Sequence, residues 1–211
     1  MTPEAVEQLF TRKDGSYVFA RWGRPIVPIV FGVEEHTLAT VKGAIEAVAV
    51  LAGHQMAETD PELGANLMVF FFRDWDELLT VPDLDRLIPG LAPLVGRLSG
   101  ADATQYRAFR FDESGAIQAA FVFLRMNEAM QELPAETLAL SQAVQTILLW
   151  SDTAFAETSP LAVLPDSGAT VLRPEIAAVI AAAYDRMMPV AAEDSSHALR
   201  LFARLTPSSE G

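Results

Sequence analysis

Cysteine is absent from this chain of 211 residues, and histidine occurs only three times. Without cysteine there can be no disulfide, no thiolate zinc ligand and no thiol nucleophile, and three histidines leave little material for a metal site built on imidazole. Glycine never falls into the G-x-G-x-x-G, G-x-x-x-x-G-K-[ST] or G-x-S-x-G patterns. Disulfide scaffolds, Gly-rich phosphate-binding loops and serine hydrolases are therefore not supported.

Basic residues are also scarce, because 15 Lys and Arg face 28 Asp and Glu and give a formal net charge of −13. A surface this acidic repels phosphate backbones, so the sequence argues against a nucleic-acid partner. Hydrophobic residues make up 51% of the chain, which is enough to bury a sizeable core. We predict a globular protein whose length allows one domain, or at most two.

Long apolar runs are missing as well. The longest, residues 26–33 and 65–72, have the length of strands and are too short to span a bilayer. Residues 1–7 carry two acids and no basic region followed by an apolar one, so they do not form a secretory signal. The expected location is the cytoplasm, or the periplasm if the natural chain begins with a leader ahead of this sequence.

Hydrophobic periodicity predicts the first half of the fold. Residues 26–33 are rich in β-branched side chains but contain proline, which favours a strand near a sheet edge. Apolar residues at helical spacing predict a long helix over residues 35–53. Residues 67–72 are uniformly apolar, as in a strand covered on both faces. Residues 106–111 and 117–125 flank a short polar turn and predict a β-hairpin.

The remaining segments complete an α+β pattern. Residues 73–104 read as short helical turns, and a strongly amphipathic helix is predicted over residues 134–150. A loop over residues 151–173 leads to a helix that starts at Pro174 and buries Met187, and a closing helix covers residues 199–205. Together these elements predict a single α+β domain over residues 1–211, with a mixed, mostly antiparallel sheet.

Three acids near one strand end form the densest acidic cluster. Asp74, Asp76 and Glu77 follow the apolar strand, where carboxylates can bind Mg²⁺. The alternative is a helix N-terminus with Asp74 as the cap and Glu77 three residues later. We favour the cap, because caps are far more common than metal clusters.

Arginines on the predicted hairpin place positive charge on an acidic protein. Arg107, Arg110 and Arg125 allow an anion or peptide-carboxylate site. The alternative that we favour is charge at exposed or rim positions, balanced by neighbouring acids.

Histidine and tryptophan offer weaker signals. His36, His54 and His197 lack the i, i+4 spacing of zinc ligands and are expected at the surface. The three tryptophans are interpreted as core residues rather than ligand platforms: Trp22, Trp75 and Trp150.

The segment 141–152 resembles a zinc-peptidase motif without its chemistry. Metzincins carry H-E-x-x-H-x-x-G-x-x-H. Neutral polar residues fill the positions of the three ligands and the general base: Ser141, Gln145 and Ser151 for the ligands and Gln142 for the base. Leu148 stands at the glycine position. Hydroxyl and amide groups cannot hold zinc, and an amide cannot take a proton from water.

The same stretch is similar to a proteobacterial family of uncharacterised proteins, many of them expected to be lipoproteins. In that family the helix has the sequence Glu-Glu-Leu-x-Gln-x-Leu-Gly-Leu, followed by a polar pair and Asp. Gln145 and Asp152 are identical to the family's residues, and Ile147 and Leu149 are aliphatic like them. The paired acids are absent from this chain. Residues 22–53 and 183–187 fit the family too, so the resemblance covers about residues 17–190. It implies a zincin-like fold without a metal, in which 134–150 is the site helix.

Three functions are consistent with these patterns. The leading hypothesis is a non-catalytic zincin-like domain that binds a protein or peptide partner, with no catalytic residue and no cofactor, and with an expected role in the cell envelope. The second is a metal-dependent enzyme built on carboxylates, with Asp74, Asp76 and Glu77 as candidates. The third is a small acidic chaperone or adaptor, expected to dimerise and to expose an apolar groove.

Overall fold

A computed structural model describes residues 1–205, which form helices and strands in an α+β arrangement. The helices are α1 (Pro3–Gln8), α2 (Glu35–Leu51), α3 (Leu84–Leu87), α4 (Leu91–Gly100), α5 (Glu128–Gln131), α6 (Ala135–Ile147), α7 (Pro174–Ala183) and α8 (Ser196–Leu205). The strands are β1 (Phe19–Ala20), β2 (Pro28–Phe31), β3 (Leu67–Phe72), β4 (Gln105–Phe111), β5 (Ile117–Arg125), β6 (Leu161–Val163), β7 (Thr170–Leu172) and β8 (Ala191–Ala192). A 3₁₀ turn covers Trp75–Thr80. The last six residues of the predicted domain lie outside the described part.

The central sheet has four strands in the order β2-β3-β5-β4. β2 and β5 both run parallel to β3, and β4 runs antiparallel to β5. Two small antiparallel pairs, β1 with β8 and β6 with β7, lie outside this sheet. The predicted α+β class with a mixed sheet is therefore confirmed. The expectation that this sheet is mostly antiparallel does not hold for the central sheet, where two of the three strand pairs are parallel. β4 forms one edge of the sheet and β2 forms the other.

Helices cover both faces of this sheet, which explains the uninterrupted apolar runs of its inner strands. On one face, α2 and α6 pack over side chains such as Val122 and Leu124. On the other face, the 3₁₀ turn, α3 and α4 pack over Phe121 and Phe123. Alternate side chains of β5 therefore belong to two separate cores, and α6 packs against α2 over one of them. No helix within residues 1–205 has an apolar stretch long enough to cross a membrane.

Most predicted elements are present close to their expected positions. The long helix is α2, the doubly covered strand is β3, the hairpin is β4 with β5, and β2 lies at a sheet edge as its proline indicated. The region 73–104 contains the expected short helical turns.

Three local predictions were wrong. The stretch predicted as a loop contains the hairpin of β6 and β7. The site helix ends at Ile147 rather than near Trp150. Met187 is 66% exposed rather than buried, because α7 ends at Ala183 and the helical spacing on which the prediction relied stops there.

Candidate functional site

Strand β4 has an open edge. Within residues 1–205 its backbone pairs only with β5, and no other backbone or side-chain group bonds to its main chain. Every second residue of an edge strand directs its N–H and C=O away from the sheet. Such an edge can pair with another extended chain.

Side chains of β4 alternate between the two cores. Tyr106 and Ala108 pack on the face of α4, whereas Phe109 packs on the face of α6. Gln105 and Arg107 share the face of Phe109, and both reach Gln142 on α6. The edge strand and α6 are thus joined by polar contacts along one side of the sheet.

A cleft of about 810 Å³, here called the edge cleft, opens beside this junction. It lies between β4 on one side and the end of α6 with the segment that follows it on the other. Its lining residues include Arg12, Gln105 to Phe109, Phe111, Gln145, Leu149 to Asp152, Phe155 and Ala156. Two aromatic rings stand on the far wall, where Trp150 and Phe155 meet edge to face with their centres 5.1 Å apart.

A small polar network separates the edge cleft from a neighbouring groove. Arg107 Nη2 donates to Gln105 Oε1 at 2.8 Å and to Gln142 Oε1 at 3.0 Å. Gln142 Nε2 donates to Gln105 Oε1 at 3.2 Å. Beyond the two glutamines lies a second groove of about 360 Å³, whose lining includes Ser141 and Leu138. Gln142 is therefore a structural link between α6 and β4.

Three side chains from outside α6 donate hydrogen bonds to the carbonyl groups of its last turn. Trp22 Nε1 donates to Thr146 O, Trp150 Nε1 to Val144 O and the Tyr184 hydroxyl to Ile147 O, each at 2.8 Å. A helix leaves its last carbonyls without partners inside the helix, and these three side chains satisfy them. The backbone becomes extended at Leu148 (φ −134°, ψ 158°), and Leu149 N then donates to Ala20 O at 2.9 Å.

We expect Tyr184→Phe to lower the free energy of unfolding by about 2 kcal/mol. Besides donating to Ile147 O, the hydroxyl accepts the backbone N–H of Trp22 at 3.2 Å, so its removal leaves two backbone groups without partners. Burial raises the pKa of Tyr184, so the hydroxyl keeps its proton over the whole working range. Urea unfolding followed by circular dichroism measures the change.

Tyr106→Phe is the matched control for this substitution. The Tyr106 ring is half-buried, and its hydroxyl makes no hydrogen bond within residues 1–205, so its loss should change stability by less than about 0.5 kcal/mol. Equal stability losses in the two variants would contradict a capping role for Tyr184.

The four candidate positions divide between the two cavities. Gln145 and Ser151 line the edge cleft, whereas Ser141 and Gln142 line the second groove. Ser141 Oγ accepts from Gln145 Nε2 at 2.9 Å. Ser151 lies past the helix end, where its N–H donates to Leu9 O at 2.8 Å.

The acidic cluster forms the predicted cap. Asp74 is the N-cap residue of the 3₁₀ turn, and Glu77 Oε1 accepts its backbone N–H at 2.9 Å. In the part of the chain that the structure describes, no three His, Asp or Glu side chains come together as a metal site would require.

The hairpin arginines differ from one another, so the rim interpretation holds only for Arg125, which pairs with Asp102 at 2.5 Å. Arg110 donates to Leu87 O and lies over the Phe121 ring. Arg107 is largely buried beside the glutamines and pairs with no carboxylate in residues 1–205.

The histidine and tryptophan expectations were partly wrong. His197 is buried rather than at the surface, because its ring packs on Phe19 and its Nδ1 bonds to Tyr17. Trp22 and Trp75 are core residues as predicted, whereas Trp150 is half-buried and lines the edge cleft.

Sequence reasoning missed the role of Arg12 and of the segment around Phe155, which complete the edge cleft. The loop Ser159-Pro160 and the lack of helical periodicity after Trp150 indicate only that this segment is irregular. Comparisons with protein-family models, with curated proteins and with solved structures give no match to this chain.

Proposed function

We propose that this chain is a non-catalytic, zincin-like domain that binds an extended polypeptide in the edge cleft, alongside β4. The observation that carries the proposal is the position of the cleft, between an unpaired antiparallel edge strand and the degenerate motif on α6. Addition of a peptide strand to an open sheet edge is a common mode of peptide recognition.

The backbone of β4 supplies the first part of the binding energy. Its seven residues give an extended ligand several N–H and C=O partners along one line. The register shift between Arg110 and Phe111 limits this line at one end, because a bulge interrupts regular pairing. We expect a core of about four or five paired ligand residues.

Aromatic side chains supply the second part. Phe109 on the strand and Trp150 and Phe155 on the opposite wall all line the cleft. Large rings bury much apolar surface at low entropic cost, and they dominate the binding energy of many interfaces. A ligand side chain on the α6 face of the sheet would meet these rings.

The chemistry of the motif supports binding without hydrolysis. Gln142 stands at the position of the general base, and its amide group bonds to Arg107 and Gln105. Ser141, Gln145 and Ser151 offer only neutral oxygen and nitrogen atoms at the ligand positions. The chain also leaves the helix at Leu148, the position of the motif's glycine.

A peptide-display selection tests this proposal. A library of random ten-residue peptides is panned on the full chain, and an enriched peptide is synthesised with a fluorophore for anisotropy titration. N-methylation of its backbone, one residue at a time, should weaken binding at alternate positions, because only every second N–H faces β4. Failure to enrich any peptide, or uniform tolerance of N-methylation, would overturn strand pairing.

Phe155→Ala and Phe31→Ala form the matched pair for the same titration. Phe155 lines the edge cleft, whereas Phe31 is exposed on β2 at the opposite edge of the sheet. We expect Phe155→Ala to weaken peptide binding at least about fivefold and Phe31→Ala to leave it unchanged. The reverse result would move the binding site to β2.

A further inference from the structure

Arg107 is a largely buried cation without a matching acid. Its side chain lines the edge cleft, and within residues 1–205 no carboxylate forms an ion pair with it. Burial lowers the pKa of Arg107 to about 10, so the guanidinium remains charged at neutral pH. A buried charge without a counter-ion costs stability, and this cost calls for an explanation.

Two other arginines of this chain, unlike Arg107, have acidic partners. Arg24 pairs with Asp60 and Glu62 at 3.4 and 3.1 Å, and Arg125 pairs with Asp102. With 28 acidic residues in the chain, a carboxylate beside Arg107 would be easy to supply. In the part of the chain that the structure describes, the hydrogen-bond partners of Arg107 are instead two glutamine amides.

The hydrogen bonds of Arg107 hold the guanidinium in place and leave donors free. Only Nη2 is engaged, by the two glutamine oxygens. Nε is shielded from solvent and lacks a partner, and Nη1 makes no hydrogen bond within the described residues. Of the five N–H donors of a guanidinium, the two on Nη1 therefore remain available to a ligand.

Charges around the cleft favour an acidic group at this place. Arg12 also lines the cleft and pairs with no carboxylate of residues 1–205. Asp152 is the one acid among the lining residues, and Lys13 engages it through Nζ at 3.9 Å and through its backbone N–H at 3.3 Å. On a chain with a net charge of −13, the edge cleft is thus locally positive.

We propose that Arg107 recognises a carboxylate of the polypeptide bound in the edge cleft, which makes the domain selective for an acidic group at one position. This inference rests on the proposed function. A strand paired with β4 presents every second side chain on the face that carries Arg107, so an Asp or Glu there would lie across from it. The carboxylate could also be the C-terminus of the ligand, ending at Arg107.

The peptide obtained by selection provides the probe. Three versions are titrated against the wild-type chain: the parent, one with its acidic residue replaced by the amide (Glu→Gln or Asp→Asn), and one with an amidated C-terminus. We expect one of the two neutralised versions to bind at least about tenfold more weakly, and which one it is identifies the source of the carboxylate.

Arg107→Gln completes a double-mutant cycle with these peptides. In this variant the parent and the sensitive neutralised peptide should bind within about twofold of each other, whereas Arg110→Gln, on the opposite face of the same strand, should preserve the discrimination. The melting temperature of Arg107→Gln should equal or exceed that of the wild type, because an unpaired buried charge is removed. This result would also show that the variant folds.

The outcomes separate the two proposals. If selected peptides bind with alternating N-methyl sensitivity but tolerate both neutralisations in the wild-type chain, carboxylate recognition is overturned and the binding function stands. Because this comparison uses only the wild-type chain, it tests carboxylate recognition even if Arg107→Gln fails to fold. If no peptide is enriched, the binding function fails and carboxylate recognition fails with it.

Discussion

Asn66→Asp is expected to lower the free energy of unfolding at neutral pH by about 4 kcal/mol. The replacement is nearly isosteric, so the effect comes from hydrogen bonding and charge. Asn66 is fully buried just before β3. Its Nδ2 donates to Pro25 O at 2.9 Å and to Asp60 Oδ2 at 3.0 Å, while its Oδ1 accepts from Val27 N at 2.8 Å.

The substitution would place two carboxylates in contact. Asp60 is itself buried, with 4% of its surface exposed. Burial raises the pKa of Asp60, but hydrogen bonds from the N–H groups of Leu63 and Glu62, from Asn66 and from Arg24 outweigh burial and lower it overall. Asp60 therefore stays ionised in the folded protein, and an aspartate at position 66 would repel it and leave Pro25 O without a donor.

Urea unfolding at pH about 7 measures this loss, and two further variants interpret it. Asn127, the other asparagine of the chain, caps α5 by accepting from Met130 N at 3.0 Å, so Asn127→Asp should be neutral or slightly stabilising. Adding Asp60→Asn to Asn66→Asp restores one carboxylate and one amide and should recover about half of the loss. Additive losses in the double variant would show that repulsion is not the cause.

Local patterns predicted most elements of this fold because their residues repeat with the period of the structure. α2 shows helical spacing over its whole length, and β3 is an unbroken apolar run between helical layers. The hairpin turn carries Asp112 and Gly115, and Asp112 Oδ1 accepts from Ser114 N at 2.8 Å. Such contacts lie within a few residues, so sequence alone reveals them.

The end of α6 could not be predicted, because it depends on partners far along the chain. Trp22 and Tyr184 reach Thr146 O and Ile147 O from positions 124 and 37 residues away. The sequence near residue 147 contains neither Gly nor Pro to mark an end. The far wall of the edge cleft begins where α6 ends, so the shape of the cleft could not be predicted from the sequence either.

The environments of the hairpin arginines could not be predicted from the sequence either. Arg107 and Arg125 stand on paired strands and look equivalent in sequence. Arg125 meets Asp102 in the turn before β4, whereas Arg107 meets glutamines on the face of α6. The packing of α6 against the sheet edge distinguishes the arginine that has an acidic partner from the one that meets glutamine amides.

His197 should make the protein lose about 3 kcal/mol of stability as the pH falls from about 7 to about 4. The ring is 3% exposed and lies 4.2 Å from the Phe19 ring, centre to centre. Burial lowers the pKa of His197 from 6.5 to about 4, and nearby Arg200 adds to this effect. Nδ1 bonds to the Tyr17 hydroxyl at 2.7 Å, while the buried Nε2 has no partner within the described residues.

The direction follows from the two pKa values. Above pH about 6.5 the imidazole is neutral in both the folded and the unfolded chain, and it contributes no pH dependence. Between about 6.5 and 4 the unfolded chain binds a proton that the folded chain does not, so acid favours unfolding. By pH about 5 roughly 2 kcal/mol should already be lost, before most carboxylates titrate.

His197→Asn isolates this contribution. The asparagine oxygen can replace Nδ1 as acceptor for the Tyr17 hydroxyl, so the variant should be less stable at pH about 7 through lost packing on Phe19, yet its stability should change little between pH about 7 and 5. His36→Gln, at an exposed position of α2, should retain the wild-type slope. Burial also lowers the pKa of His54, so His54→Gln should remove a separate share of the slope with the same sign. The measurement is urea unfolding of the wild type and the three variants at several pH values. An asparagine at position 197 cannot bind a proton in the unfolded chain, so the slope should fall in His197→Asn. A slope equal to that of the wild type would contradict the buried neutral imidazole.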